Sequence, residues 1–338
     1  MMSLDNFAEL MLPLIEDELV KVVAGVENYD SGDLHELLVY HMGWPGGLRS
    51  SAGKGKRIRP LMVTLCTAAA GGDWHQALPA AAAVELIHNF SLIHDDIEDN
   101  SPLRRGRPTL WKQWNVPLAI NAGDAMFTLA HLAALQLENT ADKSTALQGT
   151  QLLLETCLRL TSGQHLDISY ENLDIVELKA YWPMVEGKTA ALLSACTEFG
   201  PLVAGANRKA RASYRDFGYF LGLAFQALDD LLGIWGDATV TGKSAESDLI
   251  TRKKSLPILY GLSLNGKFAA RWKSGSINQD ELPAVAHQLE VEGAREYSQN
   301  IADQYTTQAL KALASAQPQA EPAAALVELA NQLLKRHS

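Results

Sequence analysis

Apolar residues recur three and four apart along most of the chain, and alternating β-branched runs are scarce, so the pattern predicts helix after helix and almost no strand. The stretch Ala80 to Asp99 is the clearest case. Good helix formers run through it, and Val84, Ile87 and Ser91 stack on one face toward Asp95. Breaks are expected at Trp44-Pro45-Gly46-Gly47, Gly71-Gly72-Asp73, Ser101-Pro102, Gly106-Arg107-Pro108 and Gln317-Pro318 through Pro322. The segment Asn265 to Asp280 reads as the most loop-like part of the C-terminal half. No long polar linker, fixed-period repeat or low-complexity tail interrupts the pattern, so the expectation is an all-α fold with residues 1–338 as a single helical domain.

Composition narrows the function. The chain has 338 residues, 47% of them hydrophobic, enough for a large core. Its net charge of −10 argues against a nucleic-acid partner, which usually needs a basic stripe. Anionic substrates stay possible if the few cations converge in one cleft. Cys66, Cys157 and Cys196 have no paired spacing, so neither a disulfide framework nor a zinc site is expected. The N-terminus carries acids and no basic n-region, and no apolar run approaches the ~20 residues of a membrane span, which predicts a soluble intracellular protein.

The strongest local signal is His94-Asp95-Asp96-Ile97-Glu98-Asp99. Helical residues four apart differ by about 40° around the axis, so Asp95 and Asp99 project from one face. Crowded carboxylates repel unless a cation lies between them, and magnesium takes one or two carboxylates, filling its shell with water and phosphate. A merely solvated acidic face would sit oddly at the end of the apolar run Val84 to Ile93. Arg104-Arg105-Gly106-Arg107-Pro108-Thr109 follows, a Gly/Pro-bounded loop whose adjacent guanidinium forks suit two different anions.

The run His88 to Asp99 followed by Arg104 to Thr109 resembles the first aspartate-rich region of the trans-isoprenyl diphosphate synthases, close in pattern to the farnesyl and geranylgeranyl diphosphate synthases. That resemblance implies an isoprenoid synthase fold: helices around a deep central cavity, usually in a cytosolic homodimer. Gly53-Lys54-Gly55-Lys56-Arg57-Ile58-Arg59-Pro60 is similar to the family's Gly-Gly-Lys-Arg-x-Arg-Pro segment, with Lys54 in place of a glycine. By the same resemblance Lys56, Arg59, His88 and Arg105 hold isopentenyl diphosphate. Lys188-Thr189, placed between helical stretches, touches the allylic diphosphate. Lys243 and Lys253, ten apart, clamp that diphosphate together with Arg104, and Gln226 borders it in the second acidic motif.

That second motif, Phe225-Gln226-Ala227-Leu228-Asp229-Asp230-Leu231-Leu232-Gly233, departs from the family's Asp-Asp-x-x-Asp by having Gly233 as its third acid position. Asp237 lies too far along to share an ion, even if Gly236 did not end the helix. The resemblance therefore makes Asp229 the metal ligand and Asp230 a weaker ligand or a neighbour of one, with water at position 233 and an aspartate there tolerated. The implied catalytic set is Asp95, Asp96, Asp99, Arg104, Lys188, Asp229 and Lys243. Asp95, Asp99 and Asp229 ligate magnesium, with three ions in the full substrate complex. The acids are expected to converge without enough nearby lysines to neutralise them, leaving a strained site that needs its metal.

The implied reaction joins an allylic diphosphate to isopentenyl diphosphate, with a twenty-carbon product expected. Ile87 and Ser91 share the Asp95 face and should line the tunnel for the growing chain, while the family places a length-limiting aromatic where Phe90 stands. A class I terpene cyclase shares the first acidic motif but has no need of Lys56, Arg59 and Arg105. A non-catalytic partner subunit would tend to lose its acids.

Overall fold

The computed structural model describes residues 2–29, 32–44, 55–171, 173–236 and 247–335. It is helical, as the periodicity predicts. The helices are α1 (Leu4–Ala24), α2 (Leu34–Met42), α3 (Ile58–Ala69), α4 (Leu78–Glu98), α5 (Leu110–Gln113), α6 (Val116–Leu135), α7 (Leu137–Thr140), α8 (Lys143–Glu171), α9 (Tyr181–Val185), α10 (Ala191–Val203), α11 (Arg208–Trp235), α12 (Ser247–Thr251), α13 (Leu256–Ser263), α14 (Lys267–Lys273), α15 (Leu282–Val291), α16 (Ala294–Ser315) and α17 (Ala320–Lys335). Two points differ from the sequence reading. Lys267 to Lys273 is a helix inside the stretch expected to be looped, and the C-terminal break is shorter, because Pro322 already lies in the first turn of α17.

Among the described residues the only sheet is a tiny hairpin. β1 (Leu103–Arg104) pairs antiparallel with β2 (Arg107–Pro108), Arg104 opposite Arg107. Both residues of the connecting turn have positive φ, 51° at Arg105 and 74° at Gly106, the left-handed pair that suits the twist of a two-residue hairpin.

Contacts divide the chain into two compact units. One comprises Met1–Cys157, Ala195–Arg211 and Pro318–Leu326. In it α4 packs along α6 and against α3 and α1. Every residue from Pro79 to Ile87 is buried, so the first half of α4 is enclosed all round, apolar except for Glu85. Pro79 in the first turn costs no hydrogen bond there. Ser3 caps α1 by accepting from the Asn6 amide, and Asn115 caps α6 by accepting from Leu118.

Arg57, at the entrance to α3, is buried with a left-handed backbone, φ 50°. Its guanidinium donates to Glu85 of α4 at 2.8 Å, to Glu16 of α1 at 3.3 Å and to the Met42 carbonyl at 3.3 Å, while Trp44 also donates to Glu16. A buried arginine between two buried glutamates is tolerable only because each charge has its partners. The effect is to hold the segment carrying Lys56 and Arg59 against α4 and α1.

The other unit comprises Leu158–Ser194, Ala212–Gln317 and Val327–Ser338. Here α13 lies along α16, with α14 and α15 closing the far side. Phe268, Trp272, Ile258 and Leu289 form one apolar cluster, and Tyr181, Leu223, Leu256 and Leu259 another. Two stretches are long and apolar enough by composition to cross a membrane, Val116–Thr140 and Arg208–Trp235, contrary to the expectation from the bare sequence. About half of each such window is buried within the protein.

Candidate active site

The first acidic motif occupies the last turn of α4. Asp99 donates its amide to the Asp95 carbonyl at 2.8 Å, so the two acids stand one turn apart as the spacing predicts. Asp95 is part-buried and Asp99 exposed. Asp96 turns the other way and is buried, 3% exposed. Arg104 donates to it through Nε at 2.9 Å to each oxygen, and its Nη2 lies 2.7 Å from Oδ1. Burial pushes the Asp96 carboxyl above the ordinary range, and Arg104 opposes that shift. Arg104, expected on the diphosphate, is thus committed to Asp96 here and fixes β1 to α4.

Arg105 is next to Arg104 on the hairpin but belongs to a different group. A Cβ added at Gly55 would lie 3.0 Å from its Nη2, so the guanidinium rests against the chain leading to Lys56 and Arg59. His88 of α4 feels Arg59, Arg105, Arg104 and His41, and burial followed by these cations drives its pKa well below the ordinary value. His41 of α2 is held at about 3 by burial, then by Arg104, Arg105 and Arg57. Both imidazoles are neutral at working pH and can donate. The Arg59 Nε and the His41 Nε2 are buried with no hydrogen-bond partner. Buried donors are rarely left unmatched. Donors without acceptors, under a concentration of positive charge, suit a polyanion. A hollow with room for about 30 Å³ of solvent opens beside them, lined by Tyr40, His41, Asp96, Arg104, Arg105 and Thr109. Lys56 is exposed. His41 and Tyr40 were not found in the sequence, because nothing in the local pattern marks them.

Of the residues expected to set product length, Ile87 is fully buried and Ser91 part-buried, its hydroxyl donating back to the His88 carbonyl. Phe90 packs edge to face on Phe127 of α6, centroids 5.2 Å apart, and on His94 at 4.9 Å.

The second acidic motif lies near the end of α11, in the other unit. Asp229 is part-buried. Asp230 is fully enclosed and accepts from the Tyr181 hydroxyl at 2.8 Å, the Leu256 amide at 2.8 Å and Gln226 Nε2 at 2.9 Å. Burial pushes its pKa up to about 7 against the pull of Lys253. It therefore ties α9 and the start of α13 to α11. Gln226 accepts in turn from Thr189 at 2.7 Å, joining two residues expected at the allylic diphosphate.

Gly187-Lys188-Thr189 is no break between helices. Glu186–Ala190 forms a π-helical turn continuous with α9 and α10. The widening has a visible cause: Gly187 meets Gly163 of α8 backbone to backbone. A Cβ on Gly163 would sit 2.1 Å from the Lys188 nitrogen, and one on Gly187 would sit 2.5 Å from the Arg159 carbonyl oxygen. This approach brings Lys188 to Asp167, four residues beyond Gly163, and the two form an ion pair. Lys253 faces Asp230, Asp248, Asp167 and Asp229. Burial opposes its charge, but these four acids more than offset it and hold the ammonium above the ordinary lysine range. Lys188, Lys253 and Arg104 therefore do neutralise nearby acids, contrary to the expectation of unrelieved repulsion. Asp167 and Asp248 escaped the sequence reading because they stand outside the two acidic motifs. Lys243, with Lys54 and Asp237, lies outside the described residues.

Position 233 also differs from expectation. A Cβ on Gly233 would lie 2.4 Å from Oδ2, 2.6 Å from Cγ and 2.8 Å from Oδ1 of Asp248. A carboxylate, not open space for water, fills this place, and an aspartate at 233 would require the Asp248 side chain to shift.

The donor set suits magnesium. In the first unit Asp95 and Asp99 offer carboxylate oxygens one turn apart, and in the second Asp229 offers its own, with the Asp248 carboxylate beside Gly233. Among the described residues no three acids, cysteines or imidazoles converge tightly enough to hold an ion alone. Magnesium commonly binds through one or two carboxylates plus substrate phosphate, so the fit is to a metal that enters with its diphosphate.

Comparison with known proteins agrees with this chemistry. The profile of the polyprenyl synthetase family matches residues 48–284. A (2E,6E)-farnesyl diphosphate synthase of Mycobacterium bovis is 39% identical over 90% of this chain and 87% of its own. A geranylgeranyl diphosphate synthase of Mycobacterium tuberculosis is 40% identical over 82% of this chain and 80% of its own. The crystal structure of a polyprenyl synthetase from Streptomyces coelicolor superimposes with a TM-score of 0.86 at 33% identity, covering 98% of both chains. Prenyl synthases of this kind are generally magnesium-dependent and use an allylic diphosphate and isopentenyl diphosphate. With its helices, its two aspartate pairs and its cationic donors in place, the chain belongs to the polyprenyl synthetase family and is a trans-prenyl diphosphate synthase, a prenyltransferase of the isoprenoid synthase fold.

Proposed function

We propose that this enzyme adds isopentenyl diphosphate to an allylic diphosphate to give geranylgeranyl diphosphate. The observation that carries the reaction is the pair of buried ring and guanidinium nitrogens without partners, Arg59 Nε and His41 Nε2, set among the positive charge that also bears on His88, which suits a second diphosphate besides the one that leaves. A cyclase would have no use for it.

In this reading Lys56, Arg59, His88 and Arg105 hold the isopentenyl diphosphate with its double bond presented. Lys188, Thr189, Gln226, Lys243, Lys253 and Arg104 hold the allylic diphosphate, Lys188 and Lys253 turning from their acids to the phosphate oxygens. Asp95, Asp99 and Asp229 hold magnesium, three ions in the full complex, with Asp96 anchoring Arg104. Magnesium, when bound, neutralises the charge that builds on the departing diphosphate. The allylic C–O bond breaks with its electron pair going to diphosphate. The isopentenyl double bond attacks the allylic cation, a C–C bond forms, and a proton is lost to the released diphosphate. Preorganised cations act most strongly where the leaving oxygen gains charge.

The twenty-carbon product is supported by small Ser91, by the first motif lacking any inserted residues, and by relatives that include a geranylgeranyl synthase. A relative of equal similarity is named for the farnesyl product, so the assay must resolve both. Purified protein with magnesium, isopentenyl diphosphate and, in parallel reactions, geranyl or farnesyl diphosphate should yield geranylgeranyl diphosphate by mass spectrometry. A hydrocarbon, or no product, would refute the reading. Asp95→Ala should stay folded and lose nearly all condensation, and excess EDTA should abolish turnover until magnesium or manganese is restored. We read residues 1–338 as one domain and the protein as a cytosolic homodimer. Exposed Val116, Ile120, Leu132 and Leu135 on α6 support the pairing. A monomer by light scattering at micromolar concentration would refute it.

A further inference from the structure

The chain leaves α12 through a residue whose side chain the reaction does not use. Arg252 follows the last residue of that helix with a left-handed backbone, φ 56°. The next amide, that of Lys253, donates back to the Asp248 carbonyl at 3.0 Å, the bond that closes a left-handed helix end. Glycine usually occupies such a position, because a Cβ makes the conformation costly. An arginine there needs a compensating contact, and the structure shows one. Nη1 donates to the Gly275 carbonyl at 2.7 Å and Nη2 to the Trp272 carbonyl at 3.1 Å, while Cζ stands 4.3 Å from the centre of the Trp272 ring. Both carbonyls lie at the end of α14, where a cation also suits the helix dipole. Trp272 is 1% exposed and belongs to the cluster of Phe268, Ile258 and Leu289, so the anchor is part of the core. Lys254 leans to the same ring, its Nζ 5.9 Å from the centre, and donates to the Arg252 carbonyl at 3.3 Å. The residues on either side of Lys253 are thus fastened to Trp272, and Lys253 between them faces Asp230, Asp248, Asp167 and Asp229.

We propose that Arg252 is a positioning residue for the allylic diphosphate: by docking on Trp272 it fixes the direction in which the chain leaves α12, and so aims the Lys253 ammonium. Its fork is engaged by main-chain carbonyls, so it acts through Lys253 and touches no substrate. A planar guanidinium can grip two carbonyls and lie over a ring at once, which an ammonium cannot do. The inference rests on the reading of Lys253 as a ligand of the allylic diphosphate, and the test separates the two.

Steady-state kinetics test it, with the allylic diphosphate varied at saturating isopentenyl diphosphate and then the reverse. Arg252→Gly is the sharpest variant, since glycine favours the left-handed turn and only the anchor is lost. It should stay folded by circular dichroism and raise KM for the allylic diphosphate roughly 10-fold, with KM for isopentenyl diphosphate changed by less than about 2-fold. Arg252→Lys, which keeps a cation for the ring without the fork, should fall between Arg252→Gly and the wild type. In a Lys253→Ala background nothing is left to aim, so adding Arg252→Gly should raise the allylic KM by less than about 2-fold more. An Arg252→Gly enzyme with both KM values unchanged, or with both raised alike, would overturn the proposal and leave the docked arginine a structural anchor only. Effects of Arg252→Gly and Lys253→Ala that multiply in the double variant would overturn it too. Lys253→Ala with an unaltered allylic KM would instead refute the assignment of Lys253 to that diphosphate, and this inference with it.

Discussion

Replacing Gly163 with alanine tests how Lys188 is placed. The new Cβ would lie 2.1 Å from the Lys188 nitrogen, 2.6 Å from the Gly187 carbonyl carbon and 2.8 Å from its Cα. All three are backbone atoms of the π-helical turn, so no side chain can swing aside. Restoring an ordinary contact of 3.4 Å needs the turn and α8 to part by 3.4 − 2.1, or about 1.3 Å. Overpacking of this kind costs ~3 kcal/mol at the upper end of its usual range, while alanine in a helix regains ~1 kcal/mol over glycine, leaving a net loss of about 2 kcal/mol. The shift also draws Lys188 from Asp167 and disturbs the Thr189–Gln226 bond. A displacement of about 1 Å at a positioning group can lower the rate by ~100-fold. Urea unfolding followed by circular dichroism should show the stability loss. Steady-state kinetics with varied allylic diphosphate should show a fall in kcat/KM of roughly 10- to 100-fold, with the KM for isopentenyl diphosphate little changed. Gly25→Ala, where a Cβ meets nothing within 4 Å, is the control. A Gly163→Ala enzyme as stable as the wild type with unaltered kcat/KM would refute the reasoning.

Three further outcomes are expected. Arg57→Ala strands Glu16 and Glu85, each 3% exposed, and should cost about 3–5 kcal/mol in denaturant unfolding; adding Glu16→Gln and Glu85→Gln should recover part of it, and no loss in the single variant would contradict the buried network. His41 is held near 3 in the folded protein and titrates near 6.5 when unfolded, so the unfolded state binds the extra proton as pH falls below 6.5. Stability should therefore drop by about 1.4 kcal/mol from this residue between pH 7.5 and 5.5, with His88 acting in the same direction, and His41→Gln should flatten that slope in urea titrations at each pH. Phe90→Ala should lengthen the product seen by mass spectrometry; an active variant with an unchanged product distribution would remove Phe90 as the floor of the tunnel.

What the sequence reveals follows the reach of its interactions. The Asp95–Asp99 pair is legible because both acids sit on one helix and periodicity alone sets their faces. The end of α11 at Trp235 is legible because Gly236 follows it. The commitment of Arg104 to Asp96 is harder, since a loop arginine eight residues on can serve a carboxylate or a phosphate with the same fork. The π-helical turn is invisible locally. Gly187 reads as a helix boundary until it is set against Gly163, some twenty residues earlier and on another helix. Glu16, Arg57 and Glu85 likewise form one network from three separate segments, and no periodicity connects them. Gly233 looks like a lost ligand in sequence because the carboxylate that fills its place comes from another helix.

The π-helical turn has a consequence for engineering the enzyme's length. Such a turn holds one more residue than the α-helix it interrupts, so removing a single residue within Glu186–Ala190 would let α9 run on into α10 as one regular helix. The edit would look harmless by hydrogen-bond count. Yet Ala190 is pinned by its close approach to Gly222, so the correction must fall on the N-terminal side. Tyr181 would be wound about 100° around the axis and drawn about 1.5 Å along it, away from the Asp230 carboxylate it now serves. The extra residue thus sets the phase between two helical segments, and an alignment gap of one within 186–190 marks a relative whose Tyr181 position points elsewhere.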